Sequence, residues 1–163
     1  MKITVLCVGK IKEQYWNDAI AEYSKRLSRY CTLNIVQVAD EKTPENAPEA
    51  VENQIRRKEG ERILQKIDAL ADSDSQVICL AIDGKSCDSV GFADHMDGLW
   101  NRGKSHLIFV IGGSLGLSPE VLKRADEKIS FSEMTFPHQM MRVILLEQIY
   151  RGFRILKNEP YHK

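Results

Sequence analysis

Residues 106–138 read HLIFVIGGSLGLSPEVLKRADEKISFSEMTFPH, and the fold turns on how that stretch divides. The run 107–111 is unbroken apolar sequence rich in β-branched residues and closed by Gly112 and Gly113, the pattern of a strand buried on both faces at the centre of a parallel sheet. Ser118, Pro119 and Glu120 then make a helix start: an oxygen to cap free amides, a proline where no donor is missed, and an acid in the first turn. The spacing predicts a short helix ending near Lys128, then a strand over 129–135 that Pro137 stops. Strand, glycine turn, helix and strand form one βαβ unit. Open parallel sheets bind ligands beyond the carboxyl ends of their strands, so the loops 112–116 and 132–138 are expected to face one pocket.

Working outward, 3–8 is a first strand stopped by Gly9, and Tyr15, Trp16, Ala19, Ile20, Tyr23 and Leu27 recur at helical spacing, predicting a helix over 13–29. A second strand covers 33–38. The segment ADEKTPENAPEA that follows is a polar, proline-bearing loop. Residues 49–70 form a long charged helix weakened at Gly60, 76–82 a third strand ending at a turn over Asp83, Gly84 and Lys85, and 89–100 a further helix. The alternation of strands and helices predicts an α/β fold with a parallel sheet covered on both faces, in a single domain over 1–163 with no internal repeat or dividing linker.

At 163 residues the chain can bury roughly 70 % of its unfolded surface, enough to fold without staples. Its 43 % hydrophobic and 28 % charged residues place it with soluble globular proteins. The apolar runs are far shorter than the ~20 residues a bilayer requires, and the first residues enter a strand without a cleavable signal, so a cytoplasmic protein is expected. Cys7 and Cys79 lie in apolar strand runs and read as small buried hydrophobes, Cys31 and Cys87 as free thiols. No CxxC or HExxH spacing occurs, which argues against a metal site.

Net charge is zero, yet its distribution is uneven. Residues 1–30 carry six positive and three negative side chains, 136–163 five and two, and 40–75 six and ten. Two basic ends that converge in space could hold a polyanion, although solvated faces also carry charge in patches by chance.

On a helical wheel, residues 138–156 show a polar stripe of Glu147, Arg151 and Arg154 and apolar side chains over most of the remaining circumference. One sheet cannot cover such a helix, so a second copy in a homodimer is expected, the alternative being complete burial within one chain. His138 and Arg142 fall on the apolar side beside the pocket. A buried arginine must meet an anion, a carbonyl or a ligand; pairing with Glu133 and a role toward substrate are both open.

The loop 112–116 is neither GxGxxG nor a Walker sequence, and Ser114 lacks the GxSxG elbow. A pocket of main-chain groups, apolar side chains and few polar ones suits a neutral, adenine-bearing ligand. The runs FVIGGSLGLSPE (109–120), FSEMTFPHQMMRVILLEQIYR (131–151) and NEPYH (158–162), with Glu59-Gly60, closely resemble the RlmH (YbeA) family of small SPOUT-class RNA methyltransferases over the whole length; Leu115 departs from relatives that have glutamate or asparagine there.

That resemblance implies a trefoil-knotted α/β fold, contrary to the general rule that chains avoid knots. It further implies a homodimer packed through the last helix, and methyl transfer from S-adenosylmethionine, without a metal, to N3 of pseudouridine 1915 of 23S rRNA in the assembled ribosome. Carried over by position, Leu80, Gly112, Gly113, Phe131, Ser132, Glu133, Met134, Thr135 and Phe136 would line the cofactor site. His138 would be the general base, Arg142 would bind a phosphate or stabilise the imide anion, and Tyr161 and His162 would reach the partner's pocket. The rival expectations are a ribosome-associated dimer without chemistry and a flavodoxin-like nucleotide binder.

Overall fold

A computed structural model describes every residue, Met1–Lys163. Five strands and five helices alternate: β1 Lys2–Val8, α1 Gln14–Leu27, β2 Thr32–Val38, α2 Glu49–Leu70, β3 Ser75–Ser86, α3 Ser89–Asn101, β4 His106–Ile111, α4 Pro119–Arg124, β5 Glu127–Ser130 and α5 His138–Leu156. All four strand pairings are parallel, in the order β2-β1-β4-β3-β5. The all-apolar run of β4 is central because it is buried at every position. Its neighbour β1 holds it in register, Ile3 opposite Leu107 and Val5 opposite Phe109.

Side-chain alternation divides the core in two. Ile3, Val5, Cys7, Leu107, Phe109 and Ile111 point to the face covered by α1, α3 and α5. Leu6, Val8, Ile108 and Val110 point to the opposite face, against Ile63 and Ile67 of α2 and Val121 of α4. Cys7 and Cys79 are buried within these layers, and burial pushes their thiols up to about 11 and about 12, as small hydrophobes rather than nucleophiles. No helix is long and apolar enough to cross a membrane.

Three boundaries differ from expectation. First, α1 is shorter at both ends than 13–29. Second, α4 stops at Arg124, and the fifth strand lies at Glu127–Ser130 rather than 129–135. Residues Phe131 to Pro137 are irregular because they have left the sheet edge; Met134 is 73 % exposed. Third, residues 83–85 are not a turn after β3 but part of it. Ile129 pairs with both Leu80 and Lys85, so 81–84 are extra residues on the β3 side. Gly84 permits this: a Cβ there would stand 2.6 Å from the Ile129 carbonyl carbon.

Candidate active site at the carboxyl edge

The carboxyl ends of β3, β4 and β5 open into one cavity of about 910 Å³, within the size range of small-molecule sites. The irregularity of β3 contributes Ala81, Ile82 and Asp83, the glycine loop after β4 contributes residues 112–117, and the segment after β5 contributes most of 131–138. Its apolar lining includes Leu80, Ile111, Ile129, Phe131 and Met141. The glycine loop is folded tightly on itself: the Gly116 N–H donates to the Gly113 carbonyl at 3.0 Å, and Gly116 has φ +81°. A Cβ on Gly112 would stand 2.7 Å from the Gly116 carbonyl carbon, so a side chain cannot be added without reshaping the turn. Ser118 caps α4 behind it, its hydroxyl accepting from the Val121 N–H at 3.4 Å.

Of the residues singled out in the sequence, Leu80, Gly112, Gly113, Phe131, Ser132, Met134, Thr135, Phe136 and His138 all line this cavity. Glu133 does not; it is exposed beside it. His138 is partly buried at the start of α5. Burial, reinforced by the positive charge of Arg142, holds its imidazole below the ordinary histidine range, so the ring is neutral and has a free lone pair near neutral pH.

Arg142 stands behind the cavity rather than on its wall. It is 1 % exposed, and its Nη2 donates to the carbonyls of Val8 at 2.5 Å and Gly9 at 2.9 Å. The arginine therefore meets main-chain carbonyls and not Glu133, and its burial keeps it from reaching a phosphate in solvent. Its Nε and Nη1 have no partner.

Tyr161 and His162 follow α5 and pack back against it. The Tyr161 hydroxyl donates to Glu147 at 3.2 Å, its ring meets Tyr150 edge-on, and His162 Nδ1 is 3.3 Å from Arg151. Burial pushes the Tyr161 phenol up to about 12, so it stays protonated. The sequence reading missed Arg56, whose Nε donates to the Leu115 carbonyl at 2.9 Å, and noted Glu59 with Gly60 only as part of the resemblance, not as a buried group beneath the glycine loop. The available signal was Gly60: a glycine inside a helix marks a close approach, here to Ser118.

The whole chain fits known relatives. Residues 1–162 match the family described as "Predicted SPOUT methyltransferase". The chain belongs to the SPOUT methyltransferase family. It is 60 % identical to a Bifidobacterium adolescentis protein named ribosomal RNA large subunit methyltransferase H and 55 % identical to one of the same name from Clostridium kluyveri, in each case over 100 % of both chains. A solved structure of a probable methylase family protein from Haemophilus influenzae shares the fold at TM-score 0.54 and 13 % identity, over 99 % of this chain and 70 % of that one. In this SPOUT chain no group of three or more His, Cys, Asp or Glu side chains is arranged to hold a metal ion.

Proposed function

We propose that this chain methylates ribosomal RNA of the large subunit in the cytoplasm, taking the methyl group from S-adenosylmethionine and delivering it to N3 of pseudouridine 1915 in 23S rRNA of the assembled ribosome. The observation that carries this reading is the cavity enclosed by three carboxyl-edge loops in a chain that full-length relatives of that name match at 55–60 % identity. The residues present fit such a donor. Leu80, Ile111 and Phe131 offer an apolar bed for an adenine. The Ser114 and Leu115 amides have no main-chain acceptor and are free to bind polar atoms.

S-adenosylmethionine supplies a methyl on a sulfonium, transferred by in-line displacement in which positioning provides most of the acceleration. The chain's part is to hold both partners, exclude water and take one proton. His138, neutral through burial, accepts the proton from N3 of the acceptor, leaving the nitrogen lone pair to form the new bond. Arg142 acts through others: it holds the end of β1 beside the cavity and keeps the His138 ring unprotonated.

The reading includes the knotted chain path of the resemblance and a homodimer through α5. In support of the dimer, Met140, Val143, Ile144 and Ile155 on α5 are apolar and only partly covered within one chain. Tyr161 and His162 then reach the partner's pocket from the chain end.

The test is methyl transfer from labelled S-adenosylmethionine to large subunits from a strain lacking this protein, with mass mapping of the product. A single methylated pseudouridine at position 1915 is expected. Label on another nucleotide, or on none, contradicts the assignment.

A further inference from the structure

Helix α2 crosses beneath the glycine loop, and the chemistry above uses nothing on it. Gly60 sets the approach: a Cβ there would lie 2.3 Å from Ser118 Oγ, so the helix packs against the cap of α4 more closely than any side chain allows. That approach carries Glu59 under the loop. Glu59 is 4 % exposed; its Oε1 accepts from the Glu41 N–H at 3.0 Å, while its Oε2 has no partner. A Cβ on Gly113 would stand 2.8 Å from that free oxygen. One turn earlier, Arg56 Nε holds the Leu115 carbonyl, and its remaining nitrogens are fixed by Asn53 Oδ1 at 2.5 Å and Glu52 Oε2 at 3.2 Å.

Burying an acceptor without a donor is unfavourable, and an apolar chain of similar shape would pack there at less cost. A helix serving stability alone has no use for this carboxyl. Just above it, the Ser114 and Leu115 amides are donors without main-chain acceptors. We propose that Glu59 and Arg56 are positioning residues for the methyl-donor loop: Glu59 presents a hydrogen-bond acceptor beneath Gly113, and Arg56 fixes the loop tip through the Leu115 carbonyl. The proposal rests on the reading of the 112–116 loop as part of the donor site. It also gives the segment after β2 a part in that site, because Glu41 is tied to Glu59 by its amide and to Arg62 Nη2 by its carboxylate at 2.6 Å. Gly113 is then glycine because the carboxyl occupies the space of a side chain.

Glu59→Gln is the decisive variant. Its oxygen can keep the Glu41 bond while the face toward Gly113 changes from acceptor to donor. Calorimetric titration with S-adenosylhomocysteine, steady-state kinetics with S-adenosylmethionine and thermal unfolding are measured together. The dissociation constant and the donor KM are expected to rise about tenfold as the face beneath Gly113 changes from acceptor to donor, with kcat at saturating donor within about twofold and Tm unchanged or higher. Arg56→Met, which keeps the aliphatic stem of a side chain that is 25 % exposed, is expected to raise the same KM, and Arg56→Lys to recover part of it. Wild-type binding constants in both Glu59→Gln and Arg56→Met would overturn the proposal, as would a fall in kcat with KM unmoved. Wild-type protein that binds no S-adenosylhomocysteine would instead overturn the donor reading and this inference with it.

Discussion

Two buried polar clusters, one at each edge of the sheet, are handled in opposite ways, although Trp100 Nε1 and Arg154 Nε near the amino edge are also buried without partners. At the amino edge, His106 is 3 % exposed, with Thr4 Oγ1 at 2.8 Å from Nε2 and Ser75 Oγ at 3.3 Å from Nδ1. The Ser75 hydroxyl donates in turn to Asp72 Oδ1 at 2.7 Å, so one neutral tautomer satisfies the series: Thr4 to Nε2, Nδ1 to Ser75, Ser75 to Asp72. At the carboxyl edge, Arg142 leaves two nitrogens and Glu59 one oxygen without partners. A satisfied network contributes to stability. Groups left unpartnered around a cavity cost stability, and at this edge they surround the loops that would hold substrate. On the proposed reading, the network around His106 serves structure and the carboxyl edge holds the substrate.

The sharpest way to break this division is Gly112→Val, which forces a side chain into the Gly116 backbone. The turn must reshape to admit it, and a loss of about 100-fold or more in S-adenosylhomocysteine affinity by calorimetry is expected, alongside about 1–3 kcal/mol of lost unfolding free energy. Equal affinity would mean the turn is not part of the site. His138→Ala is expected to lower kcat about 100-fold at saturating donor, with the binding constant for S-adenosylhomocysteine retained. With His138 as the base, the rate needs the neutral ring, so it is expected to fall as pH drops, with the midpoint of that limb below 6.5 because burial lowers the His138 pKa. Arg142→Met removes the positive charge that helps depress it. Single-turnover rates across pH are then expected to show that limb moved upward, together with about a tenfold loss of activity near neutral pH.

The smallest effect on catalysis belongs to the amino edge. Thr4→Val leaves His106 Nε2 without its donor, and the expected change is a loss of about 1–3 kcal/mol in unfolding free energy with kcat unchanged. The same edge gives a pH signature in stability. Burial lowers the His106 pKa from 6.5, so the unfolded chain binds a proton more readily than the folded one. This contribution is complete above pH 6.5 and is lost as pH falls through the folded value. Chemical denaturation across pH 5–8 is expected to show stability falling on the acid side, and less so in His106→Gln.

Much of this was legible in the sequence, for reasons that differ by element. Residues 106–124 combine a buried strand, a glycine turn and a capped helix start, all local signals, and β4 and the start of α4 follow them closely. The cavity followed from the rule about carboxyl ends. The fifth strand was misplaced because Phe131, Met134, Thr135 and Phe136 are good strand formers by type, yet line the cavity instead of pairing. The extension of β3 past Leu80 depends on how closely Gly84 meets Ile129, a tertiary fact invisible in local composition. Glu59 carried the resemblance together with Gly60, yet only packing reveals that it is buried under Gly113. Arg142 was correctly identified as needing a partner, but its carbonyl partners lie 133 and 134 residues away in the chain.

Amide hydrogen exchange with and without S-adenosylhomocysteine addresses the division between edges most directly. Slowed exchange confined to residues 80–84, 112–117 and 131–138 is expected, with the peptides around Thr4, Ser75 and His106 unchanged. Protection at the amino edge, or none in those three loops at saturating ligand, would contradict it.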